Sequence, residues 1–404
     1  MCPSERRGVR PYAQGTPPCA PTHTQQKPSA AAGLPFAGGC GTTLGMDILT
    51  ELCSLPTAPF AEDQVIEYVR RFAASRPKLS MQSDDFGNLL IELPGTDAGG
   101  PRWVFTAHMD HPGFVAEKML DPRTLRAAFR GGVRAEYFKG SAVRFFDDGR
   151  EVTGVVKEII VGKDRGYPVR ALLRVSGPVG KGCAGMWDQG TLRTKRGKFY
   201  SRVCDDLAGA AAALTMIDEL AKRPPRATVA VLLTRAEEEG FIGAIAASLQ
   251  PELLQKNDRL IVIECSAMQS YAPQGRGAII RIGDRTSIFN SDLSYFIAQQ
   301  AAALAKKDKS FRYQRALMPG GTCEATVYDV YGFAAASICV ALGNYHNMDA
   351  DTKKIAPEYI DLADWQGMVK LFLRIARTGH QHEPGHKLLK ARLEMRFAKW
   401  KKLL

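Results

Sequence analysis

The chain has no uninterrupted apolar stretch of the roughly 20 residues that a bilayer span requires, which excludes a transmembrane helix. It opens without the charged-then-apolar pattern of a secretory leader. Its nine cysteines, at 2, 19, 40, 53, 183, 204, 265, 323 and 339, contain no CxxC pair and no zinc-knuckle spacing. An odd, scattered set is not a disulfide framework, so a reducing, cytoplasmic setting is expected. Internal repeats are absent, and residues 1–45 hold a single acid, Glu5. That segment is rich in Pro, Gly, Ala, Ser, Thr and Gln and lacks periodicity. It reads as a disordered extension, with Met46 behind it a candidate start codon.

A net charge of +12 suggests a polyanion partner until it is divided along the chain. Residues 1–45 carry +3 and residues 387–404 carry +6, which leaves +3 for the body between them. No nucleic acid is expected for that body, since a groove for polyanions needs basic residues clustered on the fold. With 404 residues, 45% of them hydrophobic, a catalytic core and at least one further module are expected.

Apolar residues at 46, 49, 52 and 55, and again at 65, 66, 69 and 72, predict two amphipathic helices around a Pro-containing loop. Short apolar strand runs follow, NLLIELPG, RWVFTAHMD, TVAVLLTRAEEEG and RLIVIECS, with helical stretches at 207–222 and 291–307. Strands that are apolar throughout are buried on both faces, so the expectation is a three-layer α/β/α domain around a mixed sheet. The interval 117–198 has strand runs and Gly-punctuated turns but little helical periodicity. It reads as an inserted β-rich domain, a barrel or a PDZ-like module. The catalytic domain would then comprise 46–116 and 199–380.

Four apolar strands end in metal-ligand chemistry: FTAHMD at 105–110, LTRAEEEG at 233–240, IVIECS at 261–266 and LGNYHNMD at 342–349. A fifth element, VCDDLAG at 203–209, sets two acids before a helix. Singly, a histidine after a strand is a hydrogen-bonded structural residue and paired acids are a helix cap. Their recurrence at strand ends gathers an oxygen and nitrogen set suited to borderline divalent cations.

These elements, in this order, resemble the glutamyl-aminopeptidase family of co-catalytic metallopeptidases, which includes the tetrahedral (TET) aminopeptidases. The likeness runs over about residues 46–380 and rests on HMD at 108–110 with Gly113-Phe114, CDDLAG, EE-x-G-x-x-GA at 237–244, GGT at 320–322 and His346. The β-rich insertion between His108 and Asp205 agrees with it, because related carboxypeptidase-like and deacylase families insert a domain after the glutamate pair. The resemblance implies two divalent metal ions, zinc first and cobalt or manganese as alternatives. His108 and Glu264 would hold one ion and Glu238 and His346 the other, with Asp205 bridging. Glu237 would be the general base, and Asp110 would accept a hydrogen bond from His108 and fix its tautomer. It further implies peptide substrates cut from the amino end and a homo-oligomer, from dimer to dodecamer.

Three positions depart from the family pattern. Glu264 stands where Asp is usual, Cys323 where the GGT segment carries Asp, and Asn347 where Ser follows the last histidine. Glu324 or another nearby acid is expected to supply the negative field for a substrate ammonium. Cys204, Cys265 and Cys323 could be soft ligands, but free cysteine beside a sheet behaves mostly as a compact hydrophobe. A two-metal amidohydrolase or deacylase, or a silent scaffold, are the competing functions. The segment 381–404 places Leu389, Leu393, Phe397, Trp400 and Leu404 at helical spacing among Lys and Arg. It reads as a basic amphipathic helix, docking on its own or a neighbouring subunit, with an anionic partner as the alternative.

Overall fold

A computed structural model describes residues 44–97, 99–163 and 166–404. All but the last two residues of the expected disordered extension lie outside it. Among the described residues an eight-stranded mixed sheet forms the centre. Its order is Ser80–Ser83, Leu89–Leu93, Val229–Thr234, Trp103–His108, Arg259–Ala267, Ala334–Leu342, Ala278–Gly283 and Tyr313–Leu317. The four strands from Val229–Thr234 to Ala334–Leu342 are mutually parallel, and antiparallel partners flank them.

These parallel strands are the continuous apolar runs of the sequence, and strand alternation divides each between two cores. Val229, Val231 and Leu233 belong to one cluster, with the helices Met46–Ser54, Leu207–Lys222 and Leu362–Thr378. Ala230 and Leu232 belong to the other, with Ile242–Leu249 and Glu324–Val330. The result is the expected three-layer α/β/α domain. Leu207–Lys222 is rich in small residues, and Ala208 and Ala210 through Ala213 are all fully buried. Small side chains let this helix lie close to the sheet, which matters because Asp205 is positioned just before it.

The insertion is a closed barrel of six strands lying between Gly113 and Trp187. Phe114, Phe129, Phe138, Phe145 and Trp187 fill it, with ring centroids 4.7 to 6.4 Å apart in tilted and edge-on pairs.

The chain closes in a helix, Gly385–Trp400, that meets Ser291–Lys307 near Gly385 and Tyr295. Its apolar residues stay outside the cores formed by the described residues. Leu389, Leu393, Phe397 and Trp400 remain 43 to 60% exposed, and Leu404 lies beyond the helix. No helix among the described residues is long and apolar enough to cross a membrane.

Candidate metal centre

Two residues of the site come from the sheet itself. His108 is the last residue of its strand, in register with Thr234, and Glu264 lies within the next strand, opposite Cys339. The other residues come from turns just beyond strand ends. Glu237 and Glu238 occupy a short 3-10 turn after Val229–Thr234, and His346 sits in a similar turn after Ala334–Leu342. Asp205, joined to Asp206 by a cis peptide, precedes the alanine-rich helix.

The turns are held in left-handed backbone that side chains other than glycine rarely adopt: Ala236 (φ 49°), Asn344 (53°), His346 (55°) and Asn347 (62°). Each such residue costs about 1–2 kcal/mol, so the surroundings must over-determine it. Glu358, fully buried, accepts hydrogen bonds from the backbone N–H of Cys204 (2.7 Å), Asp205 (3.1 Å) and His346 (2.9 Å). It therefore ties the Asp205 loop to the His346 turn. His111 makes a second tie. Its Nδ1 is 2.6 Å from the Asp205 carbonyl and its Nε2 is 2.9 Å from Asn347 Oδ1.

Asp110 lies at the base of the glutamate turn. Its carboxylate accepts from the backbone of Glu237 (2.9 Å) and of Glu238 (3.1 Å). His108 Nδ1 is 3.5 Å from Asp110 Oδ1 and nearer, at 3.1 Å, to the carbonyl of the same residue. Glu62 adds a further carboxylate, accepting from Ala236 N–H at 3.1 Å and pairing with Arg235 at 2.6 Å.

At the centre, Asp205 faces both histidines, with Oδ1 3.6 Å from His108 Nε2 and Oδ2 3.8 Å from His346 Nε2. His346 Nε2 is also 3.1 Å from Glu238 Oε1. Three groups of potential ligand atoms, each within 4.8 Å, result: His108, Asp205 and Glu264; His108, Glu237 and Glu238; and Asp205, Glu238 and His346. They overlap, as adjacent ions require.

Asp205 Oδ1 and Glu264 Oε1 are buried with no hydrogen-bond partner among the described residues. A buried carboxylate in that condition is costly unless a cation faces it. Burial, followed by the charge of Asp205, raises the pKa of Glu264 to about 8. Glu237 is raised well above the carboxylate range by burial and then by Glu264, Glu238 and Asp110, against the pull of His108. Burial lowers the pKa of His346, but Glu238 and Asp205 outweigh it and lift the value to about 9. The cluster holds more acid than its histidines can balance, which is the demand that two divalent cations meet. Buried carboxylates and imidazoles at the carboxyl ends of parallel strands define a dinuclear metallohydrolase.

The comparisons place that class in a family. The sequence profile of the M42 glutamyl aminopeptidases matches residues 87–162 and 178–356. No curated protein matches the chain. The fold is similar to that of aminopeptidase APDkam598 from the archaeon Desulfurococcus kamchatkensis, with TM-score 0.68, 21% identity and coverage of 82% of this chain and 94% of that one. The TET1 peptidase of Pyrococcus horikoshii gives TM-score 0.68 at 20% identity, covering 82% and 99%. A TET aminopeptidase from a marine sediment thaumarchaeon gives 0.68 at 17%, covering 82% and 96%. This chain belongs to the M42 glutamyl aminopeptidase family, and its site is that of a dinuclear metal-dependent aminopeptidase.

Other residues differ from their sequence-based expectation or escaped it. Glu324 does not open onto the site. Only 1% exposed, it accepts from Thr234 Oγ1 at 2.6 Å and lies 3.4 Å from Thr106 Oγ1, because the helix it begins turns its side chain under the sheet end. Asp206 is fully buried beside the Cys265 thiol, its carboxylate oxygens meet no nitrogen or oxygen donor among the described residues, and burial raises its pKa well above the usual range. Cys204, Cys265 and Cys323 are buried thiols whose pKa values burial pushes well above the ordinary thiol range, as compact hydrophobes would be. Glu358 and Glu62 carried no motif. His111 carried one weak signal, its place directly after the HMD segment.

Proposed function

We propose that His108 and Glu264 hold one divalent ion, that Glu238 and His346 hold the other, and that Asp205 bridges them. The observation that carries this reading is the pair of Asp205 oxygens, each turned toward a different histidine. Zinc is the proposed metal, since two imidazoles and several carboxylates suit a borderline cation. Two such ions, when bound, supply Lewis acidity that polarises the scissile carbonyl and acidifies water.

Glu237 is the proposed general base. It is buried beside the ligand groups, and its backbone is fixed by Asp110. Its raised pKa suits a carboxylate that must take a proton from the attacking water and return it to the leaving amine. Asp110 acts through the glutamate turn as well as through the His108 ring. The proposed substrate is a peptide, cut at its amino end. The assembly is proposed to be a homo-oligomer, and the setting cytoplasmic, in keeping with free thiols at all six described cysteines.

One peptide, prepared with a free and with an acetylated amino terminus and followed by mass spectrometry, tests the exopeptidase reading. Stepwise loss of residues from the free form alone is expected. Equal cleavage of the blocked form, or release of acetate from it, would move the activity to an amidohydrolase.

A further inference from the structure

The proposed reaction makes no use of the last helix, Gly385–Trp400, which lies beyond residue 356, where the match to the family profile ends. The helix meets Ser291–Lys307 near Gly385 and Tyr295, and from Leu389 to Leu404 every residue is exposed. A 16-residue helix without a packed face is marginal in water, because tertiary burial supplies most of a helix's stability. Like charges weaken it further. Residues 387–404 carry seven lysines and arginines against a single acid, Glu394. Lys390 reaches that acid at 3.8 Å, an exposed contact of little weight. A partner that covers apolar side chains and neutralises cations would complete the helix.

The two kinds of side chain are sorted around its axis. Leu389, Leu393, Phe397 and Trp400 follow one another at intervals of four, four and three, which places them within an arc of about 80°. At the same spacing Arg392, Arg396 and Lys399 border one edge of the arc and Lys390 the other. Lys399 Nζ lies 4.9 Å from the centre of the Trp400 ring, so a cation stands directly beside the largest apolar group. At about 24 Å the helix is shorter than the roughly 30 Å hydrocarbon core of a bilayer, and it is charged along its whole length. Such a helix can lie on a membrane but cannot cross it.

We propose that this helix docks on the surface of an anionic lipid bilayer, with Leu389, Leu393, Phe397 and Trp400 at the acyl boundary and the flanking lysines and arginines at the lipid phosphates. Charge decides against the occupants this protein could itself supply. Residues 1–45 carry +3 with Glu5 as their only acid, and the corresponding segment of a second copy repeats the +6 of residues 387–404. A nucleic-acid backbone would match the cations but offer the apolar arc no dry surface. A lipid interface answers both halves of the helix, since lysine and arginine extend along apolar surface while their heads stay at the charged layer, and tryptophan favours that boundary. Each lysine or arginine near such a surface raises partitioning about fivefold, within the reach that salt allows.

Vesicles of phosphatidylcholine alone, and with about one third phosphatidylserine, test this on the full chain. Co-sedimentation should give at least about a 100-fold higher partition coefficient on the anionic vesicles, falling about tenfold between about 0.1 M and about 0.5 M salt. Trp400 reports insertion directly, because it is 52% exposed while Trp103, Trp187 and Trp365 are buried. Its emission should shift to the blue on anionic vesicles and become protected from acrylamide, and Trp400→Phe should remove that signal. Leu393→Ala combined with Phe397→Ala keeps every charge and should lower partitioning by at least about tenfold, with circular dichroism showing the body folded. Sedimentation that is equal on both vesicle types, absent from both, or unaffected by the double substitution would overturn the proposal. A blue shift with polyglutamate and none with vesicles would overturn it in favour of an acidic protein surface. An oligomer that dissociates in sedimentation velocity when residues 385–404 are removed would overturn it in favour of a second copy.

Discussion

The barrel and the carboxyl end of the sheet are both buried, and they are built on opposite terms. The barrel interior is aromatic, with Phe114, Phe129, Phe138, Phe145 and Trp187 in mutual contact. The sheet end buries acids and histidines, leaves carboxylate oxygens without hydrogen-bond partners among the described residues, and holds neighbouring turns in left-handed backbone. The first region gains stability from every contact, whereas the second expends stability to keep ligand atoms in place. Substitutions should therefore separate cleanly, with chemistry lost from one region and folding free energy from the other.

The largest effect expected is on turnover. Glu237→Gln preserves size but cannot accept a proton, so kcat should fall by about 10²–10⁴-fold while elemental analysis finds the metal content unchanged. Glu238→Gln should instead weaken metal binding. The reverse pattern would shift the roles in the glutamate turn by one residue.

In the barrel the counterpart is Phe129→Ala, which removes a ring packed on Phe114 at 4.9 Å and Phe138 at 4.7 Å. Denaturant unfolding should show a loss of about 3–5 kcal/mol, with metal stoichiometry retained in the folded protein. A loss of metal equal to that in Glu238→Gln would mean that the two regions are not independent.

A smaller effect tests the burial of Glu324 through pH. Burial raises its pKa from 4.5 to about 7, so its ionisation opposes folding. The stability it contributes is fully present below about pH 4.5 and is lost as pH rises through 7. Glu324→Gln should therefore gain on the unaltered metal-free protein by on the order of 3 kcal/mol between pH 4.5 and pH 8, read from denaturant midpoints. A difference independent of pH would show that Glu324 is solvated.

The contrast between the regions also explains what the sequence made legible. Continuous apolar runs and helical periodicity marked the parallel strands and the helices Leu207–Lys222 and Ser291–Lys307, because burial imposes these patterns locally. His108, Glu238, Glu264 and His346 stood out since each follows or ends such a run, and Asp205 since it stands just before a helix; the structure brings all five into overlapping groups. Glu358 was silent because its partners are backbone amides from distant segments, and spacing along the chain does not encode them. Glu324 misled for a related reason. Its neighbour Cys323 lines a recess together with Glu264, while the helix that begins at Glu324 directs its own carboxylate onto Thr234.

The central claim is that the buried acids and histidines at the sheet end exist to hold two adjacent cations, with Asp205 between them. Elemental analysis of the reconstituted, desalted protein tests it most directly. Two divalent ions per chain are expected, falling below one in Asp205→Ala with the fold retained by circular dichroism. A reconstituted protein that keeps no metal, or an Asp205→Ala variant that keeps both ions, would contradict the account.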